Sequence, residues 1–249
     1  MEGRLHGRRA VLTGASGGLG SAIASAFVRE GARIAAVARN EPALRELCST
    51  LSPGSAYAVA ADVADPGQAG AAVRRAALAL GGLDIVVNAA AVDCEWKPVG
   101  ELDIESWDRT IAVNLSGCFY VCRAALPLLV AAGGGAMVNL TSVAAERVWP
   151  LDSAYGVSKA GLEMLTRTIA VEYGRQGIRA NCIAPGVIDA GMTDAVTDPA
   201  ARDELVGLHP LGRMGSAEEV AEAAVWLCSE GSFTSGWTLA VDGGFLARG

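Results

Sequence analysis

Residues 10–24 read AVLTGASGGLGSAIA, an apolar strand followed by a turn with four glycines and the start of a helix. Glycine lets the turn bend tightly and lets a ligand approach the backbone, while free N–H groups at the helix start attract a pyrophosphate. An ordinary turn of small residues is the alternative interpretation. The order of strand, turn and helix favours a dinucleotide site, which Gly14, Ser16, Gly17, Gly18, Leu19 and Gly20 are expected to line.

The pattern of this first unit continues along the whole chain. Apolar runs alternate with helix-compatible stretches, and the runs predict strands at 10–13, 33–38, 56–60, 85–88, 136–140, 180–184 and 238–241. Strands without polar alternation suit a parallel sheet that is buried on both faces. Right-handed crossovers then give a doubly wound α/β fold of the Rossmann type with about seven strands. A length of 249 residues fits one dinucleotide-binding and catalytic domain over residues 1–249.

Composition argues against several other classes of protein. The net charge is −7, and Lys97 and Lys159 are the only lysines among 20 basic residues, so no basic tract is available for nucleic acid. Neither a secretory signal nor an uninterrupted apolar run of about 20 residues is present, which predicts a cytoplasmic protein without a membrane partner. The two histidines lie apart and the six cysteines form no C-x-x-C pair, so neither a metal site nor a Ser-His-Asp triad is expected.

The end of the second predicted strand bears on which dinucleotide binds. An acidic residue there would accept hydrogen bonds from the 2′-hydroxyl of an adenosine ribose. This chain instead has Ala38-Arg39-Asn40, and the Arg39 guanidinium is able to pair with a 2′-phosphate. We therefore expect NADP(H) to be preferred and NAD(H) to remain usable. A solvated Arg39 at a helix start is the alternative.

A tyrosine and a lysine share one helical face in Tyr155-Gly156-Val157-Ser158-Lys159. A free tyrosine, with a pKa of about 10, is a poor base at neutral pH, but a nearby ammonium favours the phenolate. Pairs at this spacing are common on helix surfaces. Ser142, at the end of the strand 136–140, adds a hydroxyl that is able to bond the same substrate oxygen. Asn114 is a further candidate, and a buried helix amide bonded to its neighbours is the alternative for it.

The sequence resembles the short-chain dehydrogenase/reductase family over nearly its whole length. The motifs that carry the resemblance are Thr13-Gly14-x-x-x-Gly18-x-Gly20, Asp62-Val63, Asn88-Ala89-Ala90, Asn114, Ser142, Tyr155-x-x-x-Lys159 and Pro185-Gly186-Val187-Ile188. The resemblance implies an NAD(P)-dependent oxidoreductase that moves hydride between a nicotinamide and a small-molecule alcohol or ketone. Members of the family commonly form tetramers, so the resemblance also implies a homo-oligomer, specifically a homotetramer.

The resemblance further implies a role for each matching residue. Tyr155 would be the general acid/base, Lys159 would bind the nicotinamide ribose and lower the pKa of Tyr155, and Ser142 would position the carbonyl. Asn114 would help to hold a water-linked proton path. The other implied cofactor contacts are Asp62 and Val63 at the adenine, Asn88 near the ribose, and Pro185 and Ile188 toward the nicotinamide.

Three positions depart from the family pattern. Ala91 stands where the family usually has glycine, which would alter backbone packing near the nicotinamide. Gly17 stands where many NADP-dependent members carry a basic residue, so Arg39 would contact the phosphate alone. Asp189-Ala190 lacks the hydroxyl residue often found near the carboxamide, although Thr193 follows nearby. None of these departures touches the proton-transfer residues.

The substrate is expected between three loops, 92–100, 143–154 and 187–209. They contribute large side chains that predict a hydrophobic or cyclic ketone or alcohol, namely Trp96, Val148, Trp149, Leu151 and Met192. The same residues would alternatively cover the core or a subunit contact. The helix 219–227 and the tail 233–245 are the expected surface between subunits.

Other functions stay open from the sequence alone. A 3-oxoacyl thioester reductase is similar in the tail Asp242-Gly243-Gly244, yet the turn 131–135 lacks basic residues that would contact an acidic carrier protein. A catalytically silent dinucleotide-sensing protein would need only the glycine-rich turn, so the intact catalytic set argues against it. A methyltransferase of related fold would need neither Tyr155 nor Lys159.

Overall fold

Seven parallel strands form one sheet in the computed structural model, which describes residues 2–229 and 233–248. They are β1 (Arg9–Thr13), β2 (Arg33–Ala38), β3 (Ala56–Ala60), β4 (Ile85–Asn88), β5 (Gly135–Leu140), β6 (Ile178–Pro185) and β7 (Thr238–Val241). Their order in the sheet is β3-β2-β1-β4-β5-β6-β7. The predicted doubly wound parallel sheet is confirmed, and each predicted strand matches an observed one to within about two residues.

Helices cover both faces of the sheet. The described residues form α1 (Gly18–Arg29), α2 (Glu41–Thr50), α3 (Pro66–Leu80), α4 (Ile104–Ile111), α5 (Cys118–Ala131), α6 (Ser153–Tyr173), α7 (Pro199–Gly207) and α8 (Ala217–Cys228). A π-helical turn, Ala112–Gly117, joins α4 to α5. α1 and α8 pack together on one face of the sheet, and α3 and α5 pack together on the other.

Successive residues of the central strands face two different hydrophobic cores. Ala10 and Leu12 of β1 belong to the core beneath α1 and α8, whereas Val11 belongs to the core beneath α3 and α5. All four residues of β4 are buried. A sheet enclosed in this way buries both faces of its central strands, which explains why these strands are mostly apolar and show no polar alternation.

The strand order reverses at β1, which pairs with β2 on one side and with β4 on the other. Connections leave in opposite directions from such a point and open a crevice at the carboxyl ends of the strands. The glycine-rich turn between β1 and α1 lies at this crevice, where ligands bind in open α/β sheets.

The glycine-rich turn depends on two positions that have no room for a side chain. Gly14 has a φ of +67°, and a Cβ there would lie 2.5 Å from the Ala90 nitrogen. A Cβ on Gly20 would lie 2.1 Å from the Gly14 carbonyl oxygen. Gly17 precedes α1 without a side-chain cap, so the N–H groups of the first helical turn remain available to a ligand.

In the described part of the chain, α4, the π-helical turn and α5 form one continuous helical segment, Ile104–Ala131, that is long and apolar enough to cross a membrane by length and composition. Half of its most apolar 18-residue stretch is buried inside the fold, and α5 packs against α3. Both features are typical of a helix that belongs to a protein core.

Gly20→Ala is expected to destabilise the fold, because the added Cβ would meet the Gly14 carbonyl oxygen and the backbone would have to move. Overpacking of this kind costs about 1 to 3 kcal/mol in the free energy of unfolding, which urea denaturation measures. Gly17→Ala is the matched control, since Gly17 has a φ of −85° and its Cβ would meet nothing closer than 3.4 Å. Equal destabilisation by the two substitutions would contradict this account of the turn.

Candidate active site

Two cavities open at the carboxyl ends of the strands and meet at the glycine-rich turn. The first, named here the β2-side cavity, measures about 520 Å³ and is lined by Gly14, Ser16, Gly17, Ala38, Arg39, Asn40, Ala61, Asp62, Val63, Ala89, Ala90, Ala91, Val92 and Val113. The second, the β5-side cavity, measures about 550 Å³, and its wall includes Asp152, Tyr155, Trp149 and Met192. Both contain Gly14, Gly17, Ala89 and Ala91, so one elongated ligand is able to span them.

Most of the residues predicted from the sequence line one of these cavities. The predicted residues in the β2-side cavity are Gly14, Ser16, Gly17, Arg39, Asp62 and Val63. Those in the β5-side cavity are Gly14, Gly17, Gly18, Leu19, Gly20, Ser142, Tyr155, Lys159, Pro185 and Ile188. Asn88 and Asn114 are the two exceptions, and both lie behind the walls.

Asn88 belongs to a buried hydrogen-bond network below the crevice. Its Nδ2 donates to Asn139 Oδ1 at 2.9 Å, and its Oδ1 accepts from the Thr13 hydroxyl at 3.3 Å. Asn139 in turn donates to the Thr166 hydroxyl of α6 at 2.8 Å. These bonds join β1, β4, β5 and α6. The Asn88 side chain is used between strands and the alanines after it form the wall, and the place of Asn88 near the cofactor ribose stays a prediction.

Asn114 lies in the π-helical turn Ala112–Gly117, a rare geometry that occurs frequently at functional sites. Its Oδ1 accepts the Val92 N–H at 2.8 Å, and its Nδ2 donates to the Val92 carbonyl at 2.9 Å and to the Ser158 hydroxyl at 3.2 Å. Asn114 thus fixes the loop after β4 against α6. The side chain is a buried amide bonded to its neighbours, and its place in a proton path stays a prediction.

Three of the predicted catalytic side chains meet at the β5-side cavity. Ser142 follows β5, and its hydroxyl accepts the Ala144 N–H at 3.1 Å. Tyr155 and Lys159 lie in the first turns of α6, and the Lys159 Nζ is 5.3 Å from the centre of the Tyr155 ring. The same Nζ donates to the Leu140 carbonyl oxygen at 2.8 Å, which ties α6 to the end of β5.

The Tyr155 phenol is held in its protonated form at neutral pH. Burial raises the pKa of Tyr155 above its ordinary value, and the carboxylates of Asp152 and Asp93 add to this effect, whereas the Ser142 hydroxyl opposes it. We expected the Lys159 ammonium to lower this pKa. In this structure burial and the two acidic groups raise the pKa, so a lowering by Lys159 stays a prediction.

Lys159 is buried, and its ammonium uses only one of its hydrogen-bond donors within the described part of the protein. Burial lowers the pKa of Lys159, and Leu140 provides its one hydrogen-bond partner among the described residues. An ammonium has three N–H donors. Two of them are consequently available to hydroxyl groups of a ligand in the β5-side cavity, whose wall includes Lys159.

A second group of side chains in this cavity was missed by the sequence analysis. Asp152 is only 7% exposed and forms part of the wall, and the Cys94 thiol donates to its Oδ1 at 3.1 Å. Asp93 accepts from the Trp96 indole at 3.1 Å and from the Cys94 N–H at 2.9 Å. Cys94 and Asp152 are 58 residues apart in the chain, so no local pattern could reveal the contact. The one available signal was an acidic residue three positions before Tyr155.

The protonation of this group follows from its burial. Burial raises the pKa of Asp152 to about 6; the hydrogen bond from Cys94 lowers it and the charge of Asp93 raises it. Burial also raises the pKa of the Cys94 thiol to about 11. Potential ligand atoms of the three residues lie within 4.8 Å of one another, and the thiol proton bonds the Asp152 carboxylate.

Three of the five large side chains predicted around the substrate, Trp96, Trp149 and Met192, line the β5-side cavity. The prediction for Val148 and Leu151 was wrong, since neither lies on the wall and Val148 is 87% exposed. The Trp149 ring stacks on Phe245, with 5.8 Å between ring centres. This contact fixes Trp149 on the cavity wall, whereas Val148 and Leu151 of the same loop do not line the cavity.

The segment after β6 forms the remaining wall of the cavity and is fastened by a histidine that the sequence analysis did not select. His209 is buried; its Nε2 accepts the Val187 N–H at 3.1 Å, and its Nδ1 lies 2.9 Å from the Leu205 carbonyl. These two bonds require the neutral ring with the proton on Nδ1. An ion pair between Arg202 and Asp189 adds a second fastening.

Arg39 occupies the end of the β2-side cavity, where it is exposed and has no hydrogen-bond or ion-pair partner within the described ranges. The next residue, Asn40, caps α2 by accepting the Ala43 N–H at 3.1 Å. Asn40 therefore serves the helix start, and the Arg39 guanidinium remains available to an anion.

Comparison with known proteins identifies similar sequences over almost the whole chain. A family model described as "Enoyl-(Acyl carrier protein) reductase" matches residues 14–246. The chain is 40% identical to D-threitol dehydrogenase of Mycolicibacterium smegmatis, covering 98% of this chain and 95% of that protein. It is 41% identical to 3beta-hydroxysteroid dehydrogenase 1 of Eggerthella lenta, with the same coverage of 98% and 95%. A crystal structure of a protein from Sinorhizobium meliloti, assigned as a short-chain alcohol dehydrogenase, has a TM-score of 0.91 and 37% identity over 98% of both chains.

The buried Asp152 carboxylate is expected to make stability depend on pH. The folded protein binds this proton more tightly than the unfolded chain, so the stability that it contributes is present below the ordinary aspartate pKa and is lost as pH rises to about 6. Asp152→Asn removes the titration. Between pH 4 and pH 7 the variant should therefore gain up to about 3 kcal/mol in free energy of unfolding relative to the wild type.

Urea denaturation of both proteins across this pH range measures the difference. Asp203→Asn, at an exposed aspartate of α7, is the control and should follow the wild type at every pH. A constant difference between Asp152→Asn and the wild type would show that the carboxylate has no raised pKa in the folded protein.

Proposed function

Since the chain belongs to the short-chain dehydrogenase/reductase family, we propose that it uses NADPH to reduce a small hydrophobic or cyclic ketone to a secondary alcohol, or catalyses the reverse oxidation. Its family makes it an NAD(P)-dependent oxidoreductase that acts on CH–OH or C=O groups. The observation that carries the proposal is that Ser142, Tyr155 and Lys159 line one cavity, which is continuous with the glycine-rich turn.

The residues present fit a dinucleotide. The free N–H groups of α1 and the backbone at Gly14 lie where the two cavities meet, which suits a pyrophosphate. Lys159 keeps N–H donors for ribose hydroxyls. Asp62 and Val63 would border the adenine, and Pro185 and Ile188 the nicotinamide. When bound, the nicotinamide supplies the hydride in reduction and accepts it in oxidation.

Tyr155 would supply the proton in the direction of reduction. A phenol whose pKa is raised by burial carries its proton at neutral pH, and this is the form that a carbonyl oxygen requires. The Ser142 hydroxyl would bond the same oxygen and orient it. In the direction of oxidation Tyr155 must first lose its proton, which the Lys159 ammonium at 5.3 Å from the ring assists.

Asn114 would act as a positioning residue. Its three hydrogen bonds hold the loop after β4 against Ser158 of α6, three residues after Tyr155. A shift of this helix would move Tyr155 away from the substrate oxygen, and misplacement by about 1 Å is enough to slow such a reaction strongly.

Arg39 supports a preference for NADP(H). Its guanidinium is exposed on the wall of the β2-side cavity beside Asp62 and Val63, and among the described residues it has no partner. A guanidinium binds phosphate through charge-assisted hydrogen bonds. Gly17 adds no second positive charge, so NAD(H) should remain usable.

The walls of the β5-side cavity support a substrate with an apolar body, since Trp96, Trp149 and Met192 surround it. The names of the two relatives refer to a polyol and to a steroid, so they favour a small molecule without choosing between these classes. The description of the matching family refers to an acyl carrier protein, so reduction of the keto group of a 3-oxoacyl thioester stays the second candidate. A silent dinucleotide-sensing protein would leave the arrangement of Ser142, Tyr155 and Lys159 without a use.

We further propose that the chain acts as one catalytic domain within a homo-oligomer, as a tetramer, and that it is cytoplasmic. Large aromatic side chains are exposed on the two segments expected between subunits, Trp226 in α8 and Phe233 and Trp237 in the tail. Exposed aromatic residues of this size commonly mark protein contacts. The acidic net charge of −7 supports the expectation that nucleic acid is not a partner.

Tyr155→Phe should lower kcat for ketone reduction by about 10²- to 10⁴-fold, because it removes the proton donor and preserves the ring. NADPH binding, measured by fluorescence titration, should change little. Tyr173→Phe, at the other end of α6, is the matched control and should retain wild-type activity. Undiminished turnover by Tyr155→Phe would remove Tyr155 from the mechanism.

Arg39→Ala should raise the Kd for NADPH by about 10- to 100-fold, the cost of one charge-assisted bond, and should leave the Kd for NADH nearly unchanged. Isothermal titration calorimetry measures both constants. Arg45→Ala on α2 is the control, because it also removes an arginine but one that pairs with Glu41. It should change neither the Kd for NADPH nor the Kd for NADH. Tighter binding of NADH than of NADPH by the wild type would overturn the cofactor preference.

A further inference from the structure

Asp152 stands immediately before α6, where an aspartate ordinarily accepts N–H groups of the first helical turn. Side chains do this at four other helices of the chain, where Asn40, Asp65, Asp198 and Ser216 cap α2, α3, α7 and α8. Asp152 makes no such bond. Asp103 before α4 also makes none, but its carboxylate pairs with Lys97 at 2.9 Å. In the described part of the chain, Asp152 has neither a helix N–H nor a cation.

The Asp152 carboxylate therefore has one oxygen without a partner. The Cys94 thiol donates to Oδ1 at 3.1 Å, and no group of the described residues donates to Oδ2. The residue is 7% exposed and forms part of the wall of the β5-side cavity. Oδ2 is not among the fully buried side-chain atoms that lack a partner, so it is accessible from the cavity that Asp152 lines. A donor on a molecule bound in the cavity would supply the missing hydrogen bond.

The position of Asp152 relative to Tyr155 restricts where that donor lies on the ligand. The two residues are three apart at the first turn of α6, and both line the same cavity. The Asp152 charge acts on the Tyr155 phenol strongly enough to raise its pKa, so the carboxylate lies near the phenol. A group that bonds Asp152 is consequently close to an oxygen that bonds Tyr155, as on the neighbouring carbon of a small molecule.

The charge of Lys159 opposes a cationic donor at Asp152. Each oxygen of Asp93 already accepts one hydrogen bond, from Trp96 and from the Cys94 N–H, whereas Oδ2 of Asp152 accepts none from the described residues. The Lys159 ammonium lines the same cavity and would repel a cation. A hydroxyl meets the need of Asp152 without that repulsion.

We propose that Asp152 selects substrates with a hydroxyl on the carbon beside the reacting one, so that the preferred substrate is an α-hydroxy ketone or the corresponding vicinal diol. This inference rests on the proposed function, because it names the substrate class of the same site. The hydroxyl donates to Asp152 while the reacting oxygen bonds Tyr155. The apolar remainder of the substrate packs against Trp96 and Trp149.

The test compares two alcohols that differ in one group. Oxidation of cyclohexane-1,2-diol and of 2-methylcyclohexanol, each as cis and trans isomers, is followed with NADP⁺ and with NAD⁺. The wild type should prefer the diol by about 10- to 100-fold in kcat/KM, as expected for a hydrogen bond to a charged group. Asp152→Ala should bring the ratio close to one, and Asp152→Asn should give an intermediate ratio. Asp203→Asn removes the same charge from the exposed face of α7 and should keep the wild-type ratio.

The possible outcomes separate the two proposals. Turnover of both alcohols with the same ratio in the wild type and Asp152→Ala overturns the inference and leaves the proposed function standing. Dinucleotide binding without turnover of any alcohol or ketone overturns both. A preference for 2-aminocyclohexanol over the diol shows that Asp152 selects an ammonium, which also overturns the inference. If Asp152→Ala does not fold, the isosteric variant Asp152→Asn decides: a diol preference equal to that of the wild type overturns the inference.

Discussion

The buried ammonium of Lys159 donates to the Leu140 carbonyl at the end of β5, and the geometry of the whole site depends on this bond. A buried charge needs hydrogen-bond partners, and the carbonyl at the end of β5 provides one. The bond fixes the first turns of α6 over the carboxyl edge of the sheet. Tyr155 and Asp152, on the same turns, are thereby directed into the β5-side cavity.

Close backbone packing and buried hydrogen bonds hold the rest of the crevice in place around Tyr155 and Lys159. At the glycine-rich turn, backbone packs against backbone so closely that Gly14 and Gly20 leave no space for a Cβ. Beneath it, the Asn88–Asn139–Thr166 chain of hydrogen bonds joins two strands to α6. Pre-organised polar groups of this kind act on a reacting oxygen without the cost of reorganising during the reaction.

Much of this arrangement could be predicted from local sequence. The strands are recognisable because burial on both faces requires uninterrupted apolar runs, and Tyr155 and Lys159 are recognisable because their spacing is one helical turn. The Cys94–Asp152 contact could not be predicted, since it joins residues 58 apart and an aspartate before a helix usually indicates a cap. Val148 and Leu151 were misplaced for a similar reason, because the stacking of Trp149 on the distant Phe245 decides which side of the loop faces inward.

The central claim is that this site transfers hydride to a carbonyl carbon with a proton from Tyr155. The most direct measurement is to supply NADPH carrying deuterium at both C4 positions and to analyse the products formed from a panel of ketones and α-hydroxy ketones by mass spectrometry. The account predicts one deuterium on the carbinol carbon of the alcohol, at a rate that collapses in Tyr155→Phe. Tight binding of the labelled dinucleotide with no deuterium in any product would contradict it.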